Sequence, residues 1–180
     1  MLNNETNISY HVDLPYPDIK VEKENSRYAN ILLHNYSGIV SEFTAVDQYV
    51  YHKFKLFKDC PAVSQAIGEI AMVEMHHLEM LGELILLLGE DPRYWIKKKD
   101  KRYYWNAKFV DYGNTLKEYL DYDIQAEVVA IRDYNKALNE ISDPNIVKII
   151  ERIILDEELH LKIFKELYAK YVKGAVALNN

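Results

Sequence analysis

Apolar residues recur at intervals of three and four in four long stretches of this chain, the period of helices that bury one face. The repeat passes through Ile67, Ile70, Leu81, Leu84 and Leu88 in 61–88 and through Leu120, Ile131, Tyr134 and Leu138 in 114–141. It passes through Ile150, Ile153, Phe164, Leu167 and Tyr171 in 143–172, and through Ile39, Val46 and Tyr49 in 26–58. Ser37-Gly38 predicts a kink in that last stretch, because glycine inside a helix costs up to about 1 kcal/mol relative to alanine. Asp59-Cys60-Pro61, Asn114-Thr115 and Asp143-Pro144 are start signals, and Gly89 and Gly174 are stops. The pattern predicts an all-α bundle of four helices over 26–173, with short turns inside each helix pair. Between helices 2 and 3 a long aromatic and basic crossover, 90–113, holds Trp95, Tyr103, Tyr104 and Trp105. Residues 1–25 are polar, with Pro15 and Pro17, and predict an extended arm lying over the bundle or a neighbouring subunit. Residues 174–180 form a tail.

The stripes are not purely apolar. Glu74 and His77 fall on the inner face of the second helix, Glu157 and His160 on that of the fourth, and Glu42 and Glu127 on those of the first and third. An ionised carboxylate left unpaired in a core costs several kcal/mol, and no Lys or Arg lies on the stripes to compensate it. Residues three apart on a helix share a face, so each Glu-x-x-His can grip a metal from one side. One Glu from each of two helices plus Glu-x-x-His from each of the other two is the donor set of a dinuclear carboxylate centre in a bundle core. Carboxylates mixed with imidazoles suit iron or manganese, so two iron or two manganese ions are expected. Such a pair can carry out two-electron chemistry on hydrogen peroxide or dioxygen. Asp123 and Asp156 are placed to accept the free ring N–H of a ligand histidine. Tyr49 and Tyr134, two turns beyond Glu42 and Glu127, can hydrogen-bond a ligand carboxylate, though an ordinary core role fits them equally. His34, His52 and His76 lie off the stripe and are expected at the surface or an interface; Glu158 is expected in solvent.

Composition narrows the partners. A net charge of −6 argues against nucleic acid or an anionic membrane surface. The basic run Lys97-Lys98-Lys99 with Lys101 and Arg102 is expected to be a solvated connection. The single cysteine, Cys60, allows no disulfide, no paired-cysteine metal site and no dithiol within one chain. No apolar run approaches bilayer length, so a cytoplasmic location is the expectation.

With these residues placed, the chain resembles the ferritin-like superfamily over residues 27–172. Ser41-Glu42-Phe43-Thr44-Ala45 with Gln48-Tyr49 is similar to the first helix of bacterioferritins and rubrerythrins. His77-Leu78-Glu79-Met80 and Asp123-Ile124-Gln125-Ala126-Glu127, with Tyr134 beyond, resemble manganese catalases and their short spore-coat relatives. The resemblance implies Glu42, Glu74, His77, Glu127, Glu157 and His160 as metal ligands, with Glu74 and Glu157 as bridges. It implies a peroxide-consuming oxidoreductase, catalase-like or peroxidase-like, the latter needing an external electron donor, and a homo-oligomer. The alternatives it leaves are a ferroxidase or iron-handling protein, and a structural coat component with a metal site. Rubrerythrins usually carry a further third-helix Glu and a cysteine-ligated iron domain; here Ile124 and Ala130 flank Glu127. Met75 stands where bacterioferritins place a haem-ligating methionine, but a lone methionine is a poor signal and haem is not expected.

Overall fold

The computed structural model describes residues 9–99 and 101–174. Its elements are α1 (Ser26–Ser37), α2 (Glu42–Leu56), α3 (Pro61–Leu87), β1 (Trp95–Lys98), β2 (Lys101–Tyr104), α4 (Leu116–Glu140) and α5 (Pro144–Tyr168), the last continuing into a π-helical turn, Ala169–Lys173. The fold is a ferritin-like bundle in which α1 and α2 together occupy the place of one long helix. The arm is described from residue 9 onward, and the tail beyond Gly174 lies outside the described residues.

The helix starts follow from their caps. The Thr115 hydroxyl accepts from the Glu118 amide while the Glu118 carboxylate accepts from the Thr115 amide, a reciprocal capping box. Asp143 caps α5 ahead of Pro144, and Asn25 caps α1. α3 begins at Pro61, where the missing N–H has no cost.

The expected kink in the first helix is a full break. Gly38 is extended (φ −72°, ψ −167°), and its amide closes α1 onto the His34 carbonyl. A Cβ here would collide with the His34 carbonyl oxygen, so only glycine fits. Ser41 then restarts the chain by accepting from the Thr44 amide. The break shifts the helical phase, which is why Ile39, expected on the buried stripe, is 58% exposed.

The crossover contains an unforeseen hairpin, β1 and β2, antiparallel with Trp95 opposite Tyr104 and Lys98 opposite Lys101. The basic run therefore lies on the two strands, with Lys99 in the turn that follows β1. Lys97 pairs with Glu90 at 2.7 Å, and the Arg102 guanidinium sits 4.1 Å from the centre of the Trp95 ring. The crossover is tied to the break: Ser37 Oγ donates to the Trp95 carbonyl and Trp105 Nε1 donates to Thr44 Oγ1, both at 3.0 Å.

Two apolar clusters divide the core. One gathers Leu32, Leu33, Leu81, Leu84, Ile149 and Ile153; the other gathers Leu56, Val63, Ile67, Ile70, Leu120 and Phe164. Between them lies a buried polar layer.

Candidate metal centre

Glu42, Glu74, His77, Glu127, Glu157 and His160 are each at most 3% exposed, and the bundle brings all six together. They form two overlapping sets in which each residue offers one donor atom and all donors lie within 4.8 Å of one another. One set is Glu42, Glu74, His77 and Glu157; the other is Glu74, Glu127, Glu157 and His160. Glu74 and Glu157 belong to both. Each histidine turns Nδ1 inward: that of His77 is 3.1 Å from Glu74 and 3.2 Å from Glu157, and that of His160 is 2.8 Å from Glu74.

Several donors have no hydrogen bond of proper geometry. Glu74 Oε1, Glu157 Oε1 and His160 Nδ1 are buried without a partner among the described residues, although the first and last are only 2.8 Å apart. Buried polar atoms are nearly always satisfied, so atoms that converge without bonding one another mark a place for a cation.

The electrostatics agree. Burial and the neighbouring Glu74 push the Glu42 carboxyl well above its usual range; burial and Glu157 do the same to Glu127. Glu157 is pushed up to about 8 by burial, Glu74 and Glu42. Glu74 also feels burial, but the two histidines outweigh it and hold its carboxyl low. Desolvation opposes the charge of His77, but the carboxylates of Asp156, Glu157 and Glu74 around its ring outweigh it and raise the imidazole well above its usual range. Four carboxylates this close cannot all ionise without cations among them.

Around the donors lies a layer of hydrogen bonds. The Tyr49 hydroxyl donates to Glu127 Oε1 at 2.5 Å, and that of Tyr134 donates to Glu42 Oε1. Both phenols are raised well above their ordinary pKa by burial and by these carboxylates. They are therefore protonated donors. Asp156 Oδ2 faces His77 Nε2 at 3.1 Å. Asp123 does not reach a histidine of the cluster. It accepts from Gln48 at 3.0 Å and bonds His52 Nδ1 at 2.8 Å, which corrects the expectation for Asp123 and the surface placement of His52. His52 is fully buried, its other nitrogen on the Asp111 carbonyl at 2.8 Å. Its spacing from Gln48 and Tyr49, four and three residues, was the available signal. His34, His76 and Glu158 are exposed. Met75 is 43% exposed on the outer face of α3.

A cavity of about 70 Å³ opens between α2 and α4. Its walls include Val40, Ala45, Phe109, Ala126, Ala130 and Tyr134, and Glu42, Glu74, Glu127 and Glu157 reach its floor. It is sized for a molecule of two or three heavy atoms.

A bundle of this order with these inward residues belongs to a recognisable class. Residues 36–168 match the Rubrerythrin family, and the chain is a member of it. It is 25% identical over 170 residues to a probable manganese catalase of Clostridium acetobutylicum, covering 84% of this chain and 75% of that one. Among solved structures, a manganese catalase from Anabaena PCC7120 superposes with a TM-score of 0.79 at 21% identity, over 91% of this chain and 80% of that one. A bacterioferritin from Desulfovibrio desulfuricans superposes with a TM-score of 0.66 at 24% identity, over 82% of each chain. Among the described residues no helix is long and apolar enough to cross a membrane.

Proposed function

We propose that the six clustered residues hold two iron or manganese ions, Glu74 and Glu157 shared between them, and that the centre disproportionates hydrogen peroxide to water and dioxygen. The observation that carries the reading is the overlap of the two donor sets in the two Glu residues of the Glu-x-x-His pairs. Four carboxylates balance two divalent cations, and each His Nδ1 would exchange its proton for a metal bond. When bound, such a pair supplies two oxidising equivalents by shuttling between divalent and trivalent states.

The chain's own groups do the rest. Tyr49 and Tyr134, protonated, steer one oxygen each of Glu127 and Glu42 and leave the other oxygen free. Asp156 holds the Nε2 proton of His77, which fixes Nδ1 as the inward lone pair. The cavity between α2 and α4 admits a molecule the size of peroxide to the carboxylate side of the centre, and its mostly apolar walls limit the water that follows. Disproportionation suits this arrangement because one peroxide reduces what another oxidises, so no separate donor is required. The relationship to a probable manganese catalase supports the same chemistry.

The test is metal content by plasma mass spectrometry on protein produced with both metals available, with oxygen evolution from peroxide measured on the same sample. The expected result is about two metals per chain, metal-dependent oxygen release, and loss of both in Glu74→Ala. A Glu74→Ala protein that keeps its metal and full turnover would overturn the reading. Two iron ions per chain with iron oxidation and no oxygen release would transfer the assignment to ferroxidase chemistry, the use favoured by the bacterioferritin likeness of the fold.

A further inference from the structure

We propose that the arm segment 10–16 positions both histidines of the centre, so that docking of the arm and binding of metal reinforce one another. The inference rests on the metal-centre reading above and concerns the side of the bundle opposite the cavity.

A histidine that binds metal through Nδ1 is aimed by whatever its Nε2–H donates to. For His160 that acceptor is the backbone carbonyl of Tyr10, at 2.8 Å. The arm therefore supplies the acceptor directly. For His77 the acceptor is Asp156, and the arm supplies what holds Asp156. The Val12 amide donates to Asp156 Oδ1 at 2.7 Å, and the Tyr16 hydroxyl donates to Asp156 Oδ2 at 2.6 Å. Arg152, one turn earlier on α5 and only 5% exposed, completes the clasp. Its guanidinium pairs with Asp156 at 2.7 Å and donates to the carbonyls of Val12 at 2.7 Å and Leu14 at 3.1 Å. It also lies 4.1 Å from the centre of the Tyr16 ring.

Lifting this segment would leave the His160 Nε2–H, the Asp156 carboxylate and the Arg152 guanidinium without these partners at once, and would open the outer edge of both rings to water. The arm is otherwise held at its far end, where the Glu22 amide donates to Asp143 at 2.6 Å and the Asn25 amide donates to the Leu88 carbonyl at 3.1 Å. A segment tied at one end and seated on the histidines at the other couples the two equilibria. If docking tightens metal, metal must tighten docking by the same factor.

Three measurements on the full chain and its variants test this. The first is the rate at which excess chelator strips manganese from the wild type, from a variant lacking residues 2–17, and from Tyr16→Phe. Partners behind metal-bound histidines are worth about 10–100-fold in metal affinity, so the truncated protein should release metal about 10–100-fold faster and Tyr16→Phe should show a smaller change in the same direction. The second is limited proteolysis of the wild-type arm, which should be cut several-fold more slowly in metal-loaded protein than after chelation. An arm that merely covers the bundle would be protected equally in both states. The third is far-ultraviolet circular dichroism of each variant; if the truncated chain does not fold, Tyr16→Phe and the proteolysis decide. Release rates unchanged in the variants, or cleavage indifferent to metal, would overturn the inference. A wild-type chain that binds neither manganese nor iron would overturn the metal centre itself, which is a separate result.

Discussion

Glu42, Glu74 and His77 on α2 and α3 repeat, residue type for residue type, Glu127, Glu157 and His160 on α4 and α5. The phenols cross between these halves, Tyr49 of α2 bonding Glu127 of α4 and Tyr134 of α4 bonding Glu42 of α2. Behind the histidines the repetition stops. His77 donates to a carboxylate, Asp156, while His160 donates to a neutral carbonyl, that of Tyr10. A carboxylate behind an imidazole raises its basicity more than an amide does, so the two halves should hold a metal with unequal strength although their inner donors match. Matching inner residues are therefore no guarantee of equivalence between the two halves.

The largest break in that comparison comes from Asp156→Asn. It removes the charge behind His77 and leaves the buried Arg152 without its counter-ion, so metal in the His77 half should be lost about 10–100-fold more readily, while the His160 half changes less. Stepwise chelation followed by metal counting reads this as two phases; a uniform loss from both halves would show that the halves are equivalent after all.

A smaller effect is expected from pH on metal-free protein. Glu157 has a folded pKa of about 8 against an ordinary 4.5, and Glu42 and Glu127 are raised as well. A carboxyl raised in the folded state holds a proton that the unfolded chain has already released, so its contribution is full below about 4.5 and lost as pH climbs through 8. Thermal melts in the presence of chelator should fall in midpoint between pH 5 and 8. Metal loading should flatten or reverse that slope, because the bound cations replace the protons.

The smallest difference is expected between the two phenols, where the symmetry holds. Tyr49→Phe and Tyr134→Phe each delete one buried hydrogen bond to a carboxylate, worth about 1.5–3 kcal/mol, and the two losses in melting stability should match within error. A marked inequality would extend the asymmetry from the histidines to the carboxylates.

The six residues of the cluster were legible because charges on an apolar stripe contradict the pattern around them, and the contradiction recurs in all four long stretches. The capping signals at Thr115 and Asp143 likewise identified real starts. What the sequence concealed has a physical cause in each case. The acceptor for His160 is a backbone carbonyl, and every residue has one, so Tyr10 carries no distinguishing mark. Asp123 pairs with His52 across helices, a contact fixed by packing rather than by spacing. The hairpin was hidden by its charges: Trp95-Ile96 and Tyr103-Tyr104 are good strand formers, but the lysines between them read as a solvated link. The break at Gly38 was read as a kink because the apolar repeat resumes beyond it, and only the Ser41 cap shows that a new helix begins.

That new helix has an electrical consequence. Because α2 starts at Glu42, this carboxylate occupies the first turn, where unpaired amides give a helix end roughly half a positive charge. Glu127 lies midway along α4 and receives no such field. An interruption that began as a steric demand of one glycine thus polarises the cluster along a line from Glu42 to Glu127, favouring anionic oxygen at one end by about 0.3–1 kcal/mol.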